Sequence, residues 1–70
     1  MSLTAAPIGV ELKVRQHFIS GDMKRHLENL GILPGQSITK LAENGGDLIV
    51  RVCDSRLAIN RGLATKILVD

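Results

Sequence analysis

Three side chains in this 70-residue chain are of the softer, ligand or nucleophile type: His17, His26 and Cys53. Imidazole and thiolate suit a transition metal, provided the fold gathers them, with Asp22 or Asp54 adding an oxygen. No CxxC or HxxxH pair supports such a site, so the three are weak metal candidates, and His26 reads more simply as a histidine bordering a helix stripe. Cys53 follows Arg51 by two residues on one strand face, and a nearby cation lowers a thiol's pKa. A strand cysteine is nonetheless mostly a small packed hydrophobe, and packing is the favoured reading. No Ser-His-Asp spacing is present, and the carboxylates Asp22, Glu28, Asp47 and Asp54 stand apart from one another. The sequence therefore assigns no catalytic residue and no enzyme activity. Asn44-Gly45-Gly46 leads into a strand pattern and not into a helix whose amides hold an anion, so no phosphate cradle and no bound cofactor are expected.

Two basic residues sit where electrostatics disfavours them. Lys24 and Arg25 fall in the first turns of a helix pattern, where the macrodipole opposes cations by a few tenths of a kcal/mol. A partner surface explains that placement, although an exposed cation is usually a solubility device. Leu33 lies between Ile32 and Pro34, and both apolar neighbours cannot easily turn inward. The candidate partner-binding set is accordingly Lys24, Arg25, Glu28, Asn29 and Leu33, with Leu33 as its apolar centre.

Elements able to position such a set follow from composition and period. Hydrophobic residues make up 44% of the chain, 22 of 70 being Leu, Ile or Val, which is ample for one thin core. A single domain over residues 1–70 is expected, with residues 1–7 a short lead-in, frayed at the terminus and pinned by Ile8. The formal charge of +2 is too small for a strong nucleic-acid footprint, and Phe18 is the only aromatic on which a base could stack. No specific nucleic-acid partner is expected. The rival reading is a small basic β barrel using Lys13, Arg15, Arg51 and Arg56 on one strand face. One cysteine makes no internal disulfide, and no stretch reaches the length of a membrane span, so a cytoplasmic protein without membrane insertion is expected. Oligomeric state stays open, homo-oligomers included.

Val10, Leu12 and Val14 alternate with Glu11, Lys13 and Arg15 on a first strand, with Phe18 continuing the inward set and a bulge near Gln16 and His17. Ser20-Gly21-Asp22 opens a helix over about Asp22–Leu30 whose stripe is Met23, Leu27 and Leu30, and Gly31 ends it. Pro34-Gly35 is a turn. Gln36 to Glu43 is a strand with a bulge near Lys40, because Ile38 and Leu41 lie three apart. Asn44-Gly45-Gly46 is a hairpin turn, Leu48 to Cys53 the clearest strand, Asp54-Ser55 the next turn, and Leu57 and Ile59 point inward again. A short helical turn near Arg61–Lys66 precedes a last strand at Ile67 and Val69. Five short strands with one helix suggest a small, mainly β barrel, closed or partly closed, because closure removes edges that a chain this short could not otherwise cover.

The order of these signals is similar to one family. Gly21, Met23, Arg25, Leu27, Leu30-Gly31-Ile32, Pro34-Gly35 and Ile38 resemble the R-L-x-x-L-G-(L/I)-x-P-G core of the FeoA family of bacterial ferrous iron transport accessory proteins. Val50, Val52, Leu57, Ala58, Ile59, Ala64, Ile67 and Val69 resemble its ending, so the resemblance covers about Pro7 to Val69. Lys40 departs from it by replacing a usual apolar strand residue. His26 replaces a frequent Arg, Asp54 a common Gly, and Gly62 a better helix former. The resemblance implies an SH3-like five-stranded barrel in the cytoplasm. It also implies an accessory role beside a FeoB-type membrane transporter with its GTPase domain, whose assembly or GTPase cycle the protein would modulate. The alternatives are the nucleic-acid module above and a metal-sensing module using His17, His26 and Cys53.

Overall fold

The computed structural model describes residues 1–70. The elements are a 3-10 turn Leu3–Ala5, β1 Glu11–His17, α1 Gly21–Asn29, β2 Ser37–Asn44, β3 Asp47–Val52, β4 Ser55–Asn60, α2 Arg61–Ala64 and β5 Ile67–Val69. The five strands form one antiparallel sheet in the order β4-β3-β2-β1-β5. Each strand predicted from period and turn chemistry is present, and α1 and α2 lie within a residue or two of their expected spans.

Two bulges decide which side chains turn inward. In β1 the register shifts between Val14 and Gln16, leaving Arg15 unpaired opposite β5. A bulge adds one residue to a period of two, so the inward parity flips. Leu12 and Val14 face the core before it, whereas His17 and Ile19 turn inward after it and Phe18 turns out. Phe18 was expected inside and is 63% exposed. Val10 is exposed as well, because the paired strand begins only at Glu11. In β2 the shift lies between Lys40 and Ala42, with Leu41 as the extra residue. Positions three apart on a regular strand lie on opposite faces, but here the bulge puts Lys40 and Glu43 on the same one.

Lys40, ahead of the bulge, faces the core by plain alternation with Ile38, being 4% exposed and paired across the ladder with the fully buried Val50. Its ammonium donates to Glu43 Oε1 at 2.6 Å and to the Thr4 carbonyl at 3.0 Å. A buried ammonium without such partners would cost several kcal/mol, so the burial of Lys40 requires both. The Thr4 bond ties the N-terminal segment to β2. Residues 1–7 are thus no frayed lead-in. Leu3 is 1% exposed within the core, and the Met1 carbonyl accepts from Val69 N–H at 2.7 Å. Ser2 bridges Leu68 of β5. Ile8, expected to pin this segment, is exposed, and Leu3 and Ala6 do so instead.

Helix α1 ends in a Schellman arrangement. Gly31 has φ +94°, its N–H donates to Glu28 O at 3.0 Å, and Ile32 N–H donates to Leu27 O at 3.0 Å. A Cβ on Gly31 would also stand 3.2 Å from Cys53 Sγ and 3.3 Å from Val52 Cγ1, so crowding adds to the left-handed backbone in favouring glycine here. Pro34-Gly35 follows as a turn closed by Gln36 N–H on Leu33 O at 3.0 Å, with Gly35 at φ +91°. Gly35 N–H then donates to Val14 O, and Val14 N–H to Gln36 O, both at 2.8 Å. The Leu30-Gly31-x-x-Pro34-Gly35 element thereby ends the helix and stitches its exit onto β1.

Candidate interaction surface

Only the C-terminal half of α1 reaches the core. Leu27 is buried and Leu30 packs against the cluster, while Met23, one turn earlier, is 47% exposed. Met23 was expected in the buried stripe. Beside it stands Phe18, turned outward by the β1 bulge. Together with Ile19, Ser20, Asn60, Gly62, Leu63 and Lys66 they line a groove of about 370 Å³ between the start of α1 and α2. Asn60 shapes the far wall, where its Oδ1 accepts from Leu63 N–H at 2.7 Å and caps α2. Ser20 makes no corresponding side-chain bond at the start of α1. A large exposed aromatic and an exposed methionine flanking one groove are the features of a protein contact. Sequence reasoning missed Phe18 and Met23, although a bulge near Gln16, followed to its consequence for parity, would have placed Phe18 outside.

The residues singled out as partner-binding do not line this groove, because at 100° per residue Lys24, Arg25, Glu28 and Asn29 lie on the side of α1 turned away from Met23. Lys24, Arg25 and Asn29 are exposed and Glu28 half-buried. Arg25 lies 3.9 Å from Asp22, an exposed pair of little energetic weight. Leu33 is half-buried and Ile32 fully buried, so the strain between these neighbours is resolved with Ile32 inward.

The candidate metal ligands are placed on separate elements. His17 ends β1, with its Nδ1 buried and unbonded; His26 is exposed on α1; Cys53 is exposed in the turn between β3 and β4. No group of three or more His, Cys, Asp or Glu residues is gathered where it could hold a metal ion. Cys53 is not packed in a strand as expected, because β3 ends at Val52 and Cys53 takes φ +55° in an exposed turn, with its Sγ lying over Gly31. Its Sγ lies 4.0 Å from Gln36 Oε1, on the rim of a second, smaller and mostly polar hollow of about 180 Å³ that includes Glu11, Thr39, Arg51 and Asp54.

Of the basic residues considered for nucleic acid, Lys13, Arg51 and Arg56 are exposed on the outer sheet face, while Arg15 lies 3.8 Å from Asp70. Glu11 and Asp54 are interspersed among them, and the sole aromatic, Phe18, lines the groove at α1 and α2 instead. No helix is long and apolar enough to cross a membrane.

An antiparallel five-stranded domain with a helix after its first strand and a groove beside that helix defines a small SH3-like module. The FeoA domain profile matches residues 1–70, and the chain belongs to the FeoA domain family, which is related to ferrous iron transport. The zinc complex of FeoA from Stenotrophomonas maltophilia, a procaryotic SH3 domain protein, is similar at 29% identity and a TM-score of 0.82, over 100% of this chain and 89% of that one. An iron uptake regulatory protein (FeoA) is similar at 28% identity and a TM-score of 0.84, over 97% and 90%. Iron(II) transport protein A from Clostridium thermocellum shares the fold, with a TM-score of 0.92 at 21% identity. The chain covers 44% of that protein's length. No curated protein matches the chain significantly.

Proposed function

We propose that this protein is a non-catalytic, cytoplasmic accessory of ferrous iron transport. In this reading it binds the cytoplasmic part of a FeoB-type transporter and modulates the transporter's assembly or GTPase cycle. Membership of the FeoA family supplies the link to iron, and the observation that carries the binding role is the Phe18–Met23 groove. The apolar centre of the contact is Phe18 and Met23, with Ser20, Asn60 and Lys66 as its polar rim; Lys24, Arg25, Glu28, Asn29 and Leu33, on the solvent side and exit of α1, are a second candidate patch outside that groove. Iron is then cargo of the transporter. The accessory domain acts through the surface it presents and not through chemistry of its own.

The test is titration of the transporter's purified GTPase domain with the wild-type protein and with Phe18→Ser/Met23→Ser. Both side chains are exposed, so the variant should melt close to wild type. Loss of a central aromatic anchor should weaken binding by roughly thirtyfold or more. A folded variant that binds as tightly as wild type would place the contact elsewhere. Failure of the wild-type protein to bind at all would remove the proposal.

A further inference from the structure

We propose that the free edge of β4 is a second docking site, which takes an extended acidic segment of a partner protein as an added strand. The inference does not depend on what occupies the Phe18–Met23 groove.

β4 is the end strand of the sheet, and its main neighbours are β3 and the following α2. The opposite end is closed differently, because Met1 and Ser2 cover the edge of β5. β4 pairs with β3 from Val52↔Ser55 to Asp47↔Asn60 without a register shift. The two-residue turn Cys53-Asp54 makes Val52 and Ser55 a hydrogen-bonded pair, and bonded pairs alternate from there. Arg61 N–H on Gly46 O at 2.8 Å confirms the same phase at the other end of the ladder. Ser55, Leu57 and Ile59 therefore spend their backbone groups on β3. The N–H and C=O of Arg56 and Ala58 point to the open side, where both residues are exposed.

The side chains choose the occupant. Arg56 stands directly opposite Arg51 in a non-hydrogen-bonded pair, the closer of the two antiparallel geometries. Like charges so placed destabilise a sheet, and neither arginine lies within ion-pair distance of a carboxylate. A strand added beyond β4 would place one residue opposite Arg56 on that outer face, where Asp or Glu relieves the repulsion. Its next residue falls beside the half-buried Leu57 on the other face, where an apolar side chain fits. The fitting segment alternates acidic and apolar residues. A second copy does not meet this requirement: β4 reads Ser-Arg-Leu-Ala-Ile-Asn and brings no carboxylate.

The experiment follows amide–water exchange by NMR in the full chain. The added probe is a blocked synthetic peptide of alternating glutamate and valine, compared with its lysine–valine counterpart. In the protein alone the Arg56 and Ala58 amides should exchange freely. The glutamate peptide should slow both by about tenfold, leaving Leu57 and Ile59 unchanged, and the lysine peptide should not. Arg56→Glu should abolish the slowing. Ala58→Pro should do so too while keeping the fold, because proline is tolerated where a strand's N–H faces outward. If Ala58→Pro does not fold, Arg56→Glu alone decides. Three results would each overturn the proposal: protection of Arg56 and Ala58 in the dilute protein alone, equal slowing by both peptides, or protection that grows with protein concentration without peptide. None of these readouts involves the transporter, so they fail or succeed independently of the groove.

Discussion

Truncating Leu3 tests whether the first residues are structural. A 70-residue domain has about 3.5–10 kcal/mol of stability in total. Leu→Ala at a buried site costs about 2–5 kcal/mol, more where the surroundings cannot close on the void. Leu3 is 1% exposed but sits on a three-residue 3-10 turn, which can settle toward the gap, so the lower half of that range applies. Leu3→Ala should cost about 2–3 kcal/mol and lower the melting temperature by roughly 8–24 °C. Lys40→Met removes the donor to the Thr4 carbonyl while keeping an apolar stem in place, and alone it should cost about 1 kcal/mol. Both changes loosen the same segment, so in the Leu3→Ala background the Lys40→Met cost should fall by about half or more. Urea melts of the four proteins followed by circular dichroism give the cycle. A Leu3→Ala loss under about 1 kcal/mol would show that the first residues add little to the core, and strict additivity would show that Leu3 and Lys40 do not hold one segment; either would refute the reasoning.

Two further outcomes follow from the same geometry. The Lys40 ammonium holds the Glu43 carboxyl below its ordinary value of 4.5, chiefly through its hydrogen bond and then its charge, with Arg61 at 3.6 Å assisting. A carboxyl depressed on folding stabilises fully above its unfolded value and loses that contribution as pH falls through the folded one. Wild type should therefore exceed Glu43→Gln in urea melts by a constant margin above about pH 5, with the margin closing in more acid solution; a margin that persists in strong acid would refute the assignment. Gly31→Ala should destabilise by about 1–3 kcal/mol, from the left-handed backbone and from the crowding against Cys53 and Val52. A thermal melt unchanged from wild type would show that the helix exit relaxes freely.

Local chemistry made the element order legible. Glycines and Pro34 mark where the chain turns, a period of two marks the strands, and Leu27 and Leu30 mark the packed end of α1. These signals act over a few residues, so they survive without knowledge of the fold. The bulges near Lys40 and Gln16 were legible too, as breaks in alternation. Their consequences were not, because a bulge alters which face every later residue takes, and that depends on the register adopted with another strand. Phe18 was therefore expected inside, whereas the register exposes it; Lys40, which precedes its bulge, shares the buried face of Ile38 by alternation alone. Burial of Lys40 depends in turn on Thr4, thirty-six positions away, and on Glu43, brought to the same face by Leu41. Met23 and Cys53 were misplaced for a related reason: a stripe or a strand pattern shows which side could be buried, not how far the neighbouring surface extends. The sequence by itself determined five strands, a helix and a glycine-proline exit. Only the tertiary structure decided which apolar residues were left over at the surface, because exposure depends on what the rest of the chain has room to cover.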